Sequence, residues 1–192
     1  MHRSLPVIII SLVAILSLAG SAGAAETWTV DNVHSSILMR IRHNDVSWVF
    51  CRFNQKSGTI TVDPADPSRS SIEFSVDPAS FDSGNEKRDA HVMSPDFLSV
   101  KEFPKMGFHS TKVESTGKGK YKVTGTLEIK GVSKQVTFDV SESRGKGMKG
   151  EELAGWYTEF SIKRRDYNIT EFSDSALSDE VVIYVSLEAA RS

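Results

Sequence analysis

One cysteine among 192 residues means that no intramolecular disulfide can brace this chain, so its stability has to come from a packed core. Past residue 24 it has no apolar run approaching the roughly 20 residues of a membrane-spanning helix. It has no excess of one charge: 23 basic and 25 acidic residues, mixed along the chain, give −2. That excludes nucleic acid as an expected partner, because phosphate binding needs a concentrated basic surface. The one lysine-rich stretch, Lys112 to Lys122, contains Gly117 and Gly119 and reads as a hairpin turn. Also missing are His-x-x-x-His pairs, paired cysteines and a nucleophile elbow, so no catalytic set, metal site or cofactor is expected.

The chain begins with what reads as an export leader. Met1-His2-Arg3-Ser4 is a short basic start, Leu5 to Leu18 is apolar apart from Pro6, Ser11 and Ser17, and Ala22-Gly23-Ala24 offers a small-x-small cleavage pattern. About 14 apolar residues are too few to span a hydrocarbon core of about 30 Å. The expected organisation is a cleaved signal peptide over 1–24 and one mature domain over 25–192.

Alternation with a period of two dominates the rest. Val33, Ile37, Met39 and Ile41 alternate with His34, Ser36, Arg40 and Arg42, and Ile72, Phe74 and Val76 alternate with Ser71, Glu73 and Ser75. The same rule runs through Met106–Phe108, Tyr121–Ile129, Val136–Val140, Trp156–Ile162 and Val181–Leu187, with further strands expected over Val46–Phe53 and Ser57–Val62. Short turns such as Asp63-Pro64 and Lys130-Gly131 separate them. Strands in such a meander pair antiparallel, and one apolar face on each asks for closure around a shared interior. The predicted fold is therefore mainly all-β, an antiparallel barrel of about eight strands. Alternation fails between Pro78 and Pro104, where Asn85–Met93 reads as a short helix capping or flanking the barrel. Long charged side chains on the polar faces (Lys120, Lys122, Glu128, Lys163) and the absence of aromatic girdles favour a water-soluble barrel over an outer-membrane one. Cys51, between Phe50 and Phe53, is expected to be buried and inert.

Several segments, in order, also carry a likeness. They are Trp28-Thr29-Val30-Asp31-Asn32-Val33-His34-Ser35, Ile60-Thr61-Val62-Asp63-Pro64, Gly84-Asn85-Glu86-Lys87-Arg88-Asp89-Ala90-His91, Glu102-Phe103-Pro104, Gly125-Thr126-Leu127-Glu128-Ile129-Lys130-Gly131 and Arg164-Arg165-Asp166-Tyr167. Together these resemble the YceI-like, polyisoprenoid-binding family of bacterial periplasmic proteins. The chain departs from the family pattern at Cys51 and Asn168, where glycine is usual, and at Ser83, where threonine is usual. The resemblance implies a lipocalin-like barrel whose apolar interior takes an isoprenoid chain, polyprenyl or quinone-like, in the periplasm and without catalysis.

On that reading the barrel lining is Met39, Ile41, Phe74, Phe108 and Val123, continued by Leu127, Phe138, Trp156 and Phe160. A polar headgroup would meet Asn85, Arg88 and His91 at the mouth. Transient contact with a membrane is expected of a lipid carrier, and the edge where the first strand meets Val181–Leu187 is the place for a homodimer. Two alternatives stand beside this. Asp89 and His91 offer an acid–base pair for an enzyme acting on a lipid-like substrate. A barrel filled by its own side chains would instead be a stress-related interaction module. Arg164-Arg165-Asp166 reads either as a solvated strand end or as arginine forks for a diphosphate.

Overall fold

The computed structural model describes residues 24–192, so the expected signal peptide lies outside the described residues except for Ala24. The strands are β1 (Glu26–Val30), β2 (Ser36–His43), β3 (Ser47–Phe53), β4 (Lys56–Val62), β5 (Ser71–Val76), β6 (Phe81–Asp82), β7 (Met106–Gly117), β8 (Lys120–Ile129), β9 (Val132–Lys146), β10 (Glu152–Lys163) and β11 (Leu177–Arg191). One helix, α1 (Glu86–Met93), follows β6. Strands β1-β4-β5-β7-β8-β9-β10-β11 close into an eight-stranded ring through the pairing of β1 with β11. Beyond the ring, β2, β3 and β6 continue from the upper half of β11 as a panel.

The panel and the ring are one meander. β1 and β2 are two halves of one long strand, as are β3 and β4, and β5 and β6, each broken by a short turn. Asp31 makes the first break by accepting from Val33 N at 2.7 Å, and Asp77 makes the third by accepting from Ala79 N at 2.8 Å beside Pro78. This is why β2 starts at Ser36 and not at Val33. The three breaks lie side by side: Lys56 N donates to Asn32 Oδ1 (2.9 Å), Asp77 N to Gln55 O (3.0 Å) and Asn54 N to Ser80 O (3.0 Å).

The expected open edge at the closure is absent. Trp28, Thr29 and Val30 pair with Arg191, Ala190 and Ala189, while Val181–Ser186 is paired on both sides, by β2 and β10. No dimer edge is available there. Among the described residues Ser47–Cys51 of β3 has no second strand neighbour, because β6 pairs only with Arg52 and Phe53, and the wall also parts between β9 and β10, which pair only from Ser141–Lys146 to Glu152–Tyr157.

The inward face changes character along the barrel axis. At the lower end the inward positions are charged: Arg144 contacts Glu142 and pairs with Glu26 at 2.6 Å, and Arg191 pairs with Glu152 at 2.6 Å. The Arg144 guanidinium lies 4.7 Å from the Trp28 ring centre, and Trp28 meets Trp156 edge-on at 6.0 Å. Around these rings Val30, Ile60, Val62, Val113, Val123, Val140, Leu187 and Ala189 pack a solid layer. This end is shut.

Candidate functional site: the barrel lumen

Above Trp156 the interior is hollow. An inner chamber of about 190 Å3 is walled by seven of the nine residues expected to line the barrel: Met39, Phe74, Phe108, Leu127, Phe138, Trp156 and Phe160. An outer chamber of about 360 Å3 is bounded by the inner face of the β2–β3 hairpin, α1 and the loop after β10, and it includes Ile41. The two share Met39, Phe53, Leu98, Arg164, Ile169 and Val181, so they adjoin along that seam. For scale, an apolar hole of about 150 Å3 admits benzene.

Glycine keeps the lumen open. Phe74 pairs across from Gly58, and a Cβ at Gly58 would sit 2.6 Å from the Phe74 ring. A Cβ at Gly125 would likewise sit 2.4 Å from the ring of Phe108. Both rings therefore lie down against the wall over a bare backbone, where a side chain would push them inward. Phe108, Phe138 and Phe160 then form a ladder at 5.2 and 4.7 Å.

Val123 is the exception among the expected lining residues. The structure places it in the packed layer below Trp156, 1% exposed and off the lumen. Parity identified its face correctly but carries no information about depth.

At the mouth the three expected residues separate. Asn85 is not on the lining: its Oδ1 accepts from Arg88 N at 3.1 Å and caps α1. Arg88 and His91 do border the outer chamber. Arg88 donates through Nε and Nη2 to Ser83, both at 2.7 Å, which leaves three of its five N–H groups without a partner among the described residues. His91 faces Asp96 at 3.3 Å and lies edge-on to Phe97 and Phe172. Asp89 turns away and accepts from Ser83 N at 2.9 Å and from the Ser83 hydroxyl. The pair required by the enzymatic alternative is not assembled, since positions i and i+2 of a helix do not share a face.

A family model of the YceI-like domain matches residues 28–189. The chain belongs to the YceI-like family. A UPF0312 protein of Pectobacterium carotovorum is 35% identical to this YceI-like chain over 184 residues, 95% of each. The crystal structure of Burkholderia cenocepacia BcnA matches with a TM-score of 0.76 at 28% identity, covering 83% of this chain and 99% of that one. A Campylobacter jejuni YceI protein matches at 0.71 and 34% identity, covering 79% and 90%. A polyisoprenoid binding domain from Saccharophagus degradans shares the fold at 0.64 and 14% identity, covering 86% and 98%.

The residue that sequence reasoning undervalued in this YceI-like barrel is Arg164. It is buried at the seam between the chambers, and every N–H of its guanidinium is used. Nε donates to Ser178 O (3.0 Å), Nη1 to Ile169 O (2.8 Å) and Glu171 O (2.7 Å), and Nη2 to Phe172 O (3.1 Å) and Leu177 O (2.9 Å). It pins the loop between β10 and β11 over the lumen and has no donor left for a diphosphate. Arg165 is the half of the pair that fits the solvated reading, with Asp174 at 2.7 Å. Thr158, also on the inner wall, donates to Asp139 O at 2.7 Å. The Cys51 thiol lines the outer chamber, and burial pushes its pKa up to about 11, as an inert cysteine requires.

A second polar cluster, besides the charged lower end, lies outside the lumen. Asp31, His34 and Glu188 bring three ligand atoms within 4.8 Å of one another at the first strand break. The hydrogen bond between Asp31 and His34 Nδ1 at 2.7 Å accounts for the grouping. That bond holds His34 above its usual imidazole range and Asp31 below the usual carboxylate range. A raised folded pKa means that His34 contributes fully below its unfolded value of about 6.5, and the contribution fades as pH rises through the folded value. For Asp31 the sign reverses, with loss as pH falls through its depressed value. An NMR titration is expected to show the His34 midpoint falling in Asp31→Asn; an unmoved midpoint would remove this pairing.

Proposed function

We propose that this YceI-like protein is a periplasmic carrier that holds a long isoprenoid-type lipid, polyprenyl or quinone-like, tail-first in the lumen. One observation carries the reading: an inner chamber with an almost wholly apolar wall, whose buried polar groups Thr158 and Arg164 are already satisfied within the protein. Such a space has nothing to offer a polar substrate and much to offer a hydrocarbon, at about 0.8 kcal/mol per buried methylene. The hollow upper barrel argues against the filled-barrel alternative, and the separate partners of Asp89 and His91 argue against the enzymatic one. The name of the Saccharophagus degradans neighbour, a polyisoprenoid binding domain, supports the ligand class through the shared fold. The leader over 1–24 supports export.

In this reading the headgroup lies at the outer mouth beside Arg88, whose three free donors suit an anionic or carbonyl oxygen. Native mass spectrometry of protein purified from its own periplasm, with solvent extraction, should recover a bound isoprenoid lipid. An apo mass with nothing extractable and no uptake in vitro would end the proposal. Arg88→Ala should weaken uptake roughly tenfold by removing a charge-assisted contact, with an unchanged melt. If that variant unfolds instead, the tie to Ser83 is its whole role.

A further inference from the structure

The outer face of the β2–β3 hairpin has a composition that the lumen does not explain. Its cross-strand pairs each set one arginine against one large apolar side chain: Leu38 opposite Arg52, Arg40 opposite Phe50, and Arg42 opposite Trp48. Phe50 is 61% exposed and Trp48 39%, and Val46 at the hairpin tip is 82% exposed. Asn44 and Asp45, both at positive φ, fix the tip, with Val46 N donating to His43 O at 3.1 Å. Exposed aromatics in a row on a free hairpin are costly in water unless a surface covers them.

The charges say what kind of surface. Arg42 is shared with Asp45 and Arg52 with Asp82. Arg40 has no carboxylate partner among the described residues; it is held between the Trp48 ring at 4.6 Å and the Tyr184 ring at 5.8 Å, and its Nε makes no hydrogen bond. Aromatic rings interleaved with arginine suit the boundary between lipid headgroups and acyl chains, where the ring is half wet and the guanidinium meets phosphate. The opposite face of the same two strands, through Met39, Ile41, Val49 and Cys51, lines the outer chamber.

We infer that the outer face of the β2–β3 hairpin docks on an anionic phospholipid surface and sets the lumen mouth against it. The proposal rests on the carrier reading for its purpose but not for its chemistry, so the two can fail separately. Trp28 and Trp156 are buried, which makes Trp48 the tryptophan that reports on the surface.

The test is flotation of the mature protein with vesicles of phosphatidylglycerol and phosphatidylcholine against phosphatidylcholine alone, followed by Trp48 emission. Wild type should float with the anionic vesicles and shift its emission to the blue. Trp48→Ser with Phe50→Ser should lose about tenfold or more in partitioning, and Arg40→Gln should lose binding to the anionic vesicles. Leu127→Arg, altered only inside the lumen, should float like wild type. Equal flotation of wild type and the double serine variant overturns the proposal, as does no flotation of wild type at all. If wild type instead sediments as a dimer that the double variant splits, and neither floats, the face belongs to a second copy of the chain. Flotation that persists in a protein never found to take up an isoprenoid would leave the docking face standing and remove the carrier.

Discussion

Leu127→Arg is expected to abolish lipid uptake in a barrel that still folds. Leu127 faces the inner chamber opposite Phe108 on the neighbouring strand, so a tail that fills that chamber meets it. An arginine there fills the passage with a guanidinium that cannot shed its water in an apolar tube. Excluding even one five-carbon unit forfeits about 4 kcal/mol at 0.8 per methylene, a factor of about 10³ in affinity. Phe108→Asp should act similarly by another route, by removing the ring that lies over Gly125 and placing a carboxyl on the wall. The hollow space softens the cost to the fold, because neither new side chain has to displace packed atoms. The measurement is uptake of a fluorescent or isotopically labelled polyprenol alongside a thermal melt. Wild-type uptake by a folded Leu127→Arg protein would mean that the lumen is not where the lipid sits.

The second large effect is on stability. Arg164→Met should cost about 3–5 kcal/mol, because five carbonyl groups that now converge on one guanidinium lose their donor together. For a domain of this size that corresponds to a drop in Tm on the order of 10 °C. Arg164→Lys should not restore it, since an ammonium carries three donors on a single atom where the planar fork carries five. Calorimetry separates this from a ligand-binding role: a diphosphate-recognising arginine would leave the melt unchanged and lower affinity. A wild-type melt for Arg164→Met would show that the loop does not depend on it.

The strands were legible because burial on one face writes a period of two into the chain, and that signal survives without any knowledge of neighbours. The helix was legible from the failure of the same signal, and Asn85 is a strong cap signal in its own right, which accounts for its side chain without a ligand. What local pattern could not reveal is position along the barrel axis. Val123 and Leu127 lie on the same face of β8 four residues apart, yet one packs the floor and the other borders the cavity. The glycines that make room for Phe74 and Phe108 acquire that meaning only through register, since Gly58 and Gly125 sit on different strands from the rings they accommodate. Arg164 was hidden for a related reason: its five acceptors are contributed by backbone, which has no signature in residue type.

The three side-by-side strand breaks have a mechanical meaning. Asp31–Ser35, Asn54–Gln55 and Asp77–Ser80 together score a crease across the barrel wall, with the ring of eight paired strands on one side and β2, β3, β6 and α1 on the other. Across a crease the ladder hydrogen bonds are replaced by a few side-chain and turn contacts, so bending there breaks far fewer bonds than bending a continuous strand. Local opening free energies are set by what must be broken, and the crease frees the panel from β1, β4 and β5 while β2 stays tied to the unbroken β11 by its ladder. The barrel thus divides its labour: the hoop of paired strands holds the fold, and the creased upper wall is the part of it that yields at least cost in hydrogen bonds.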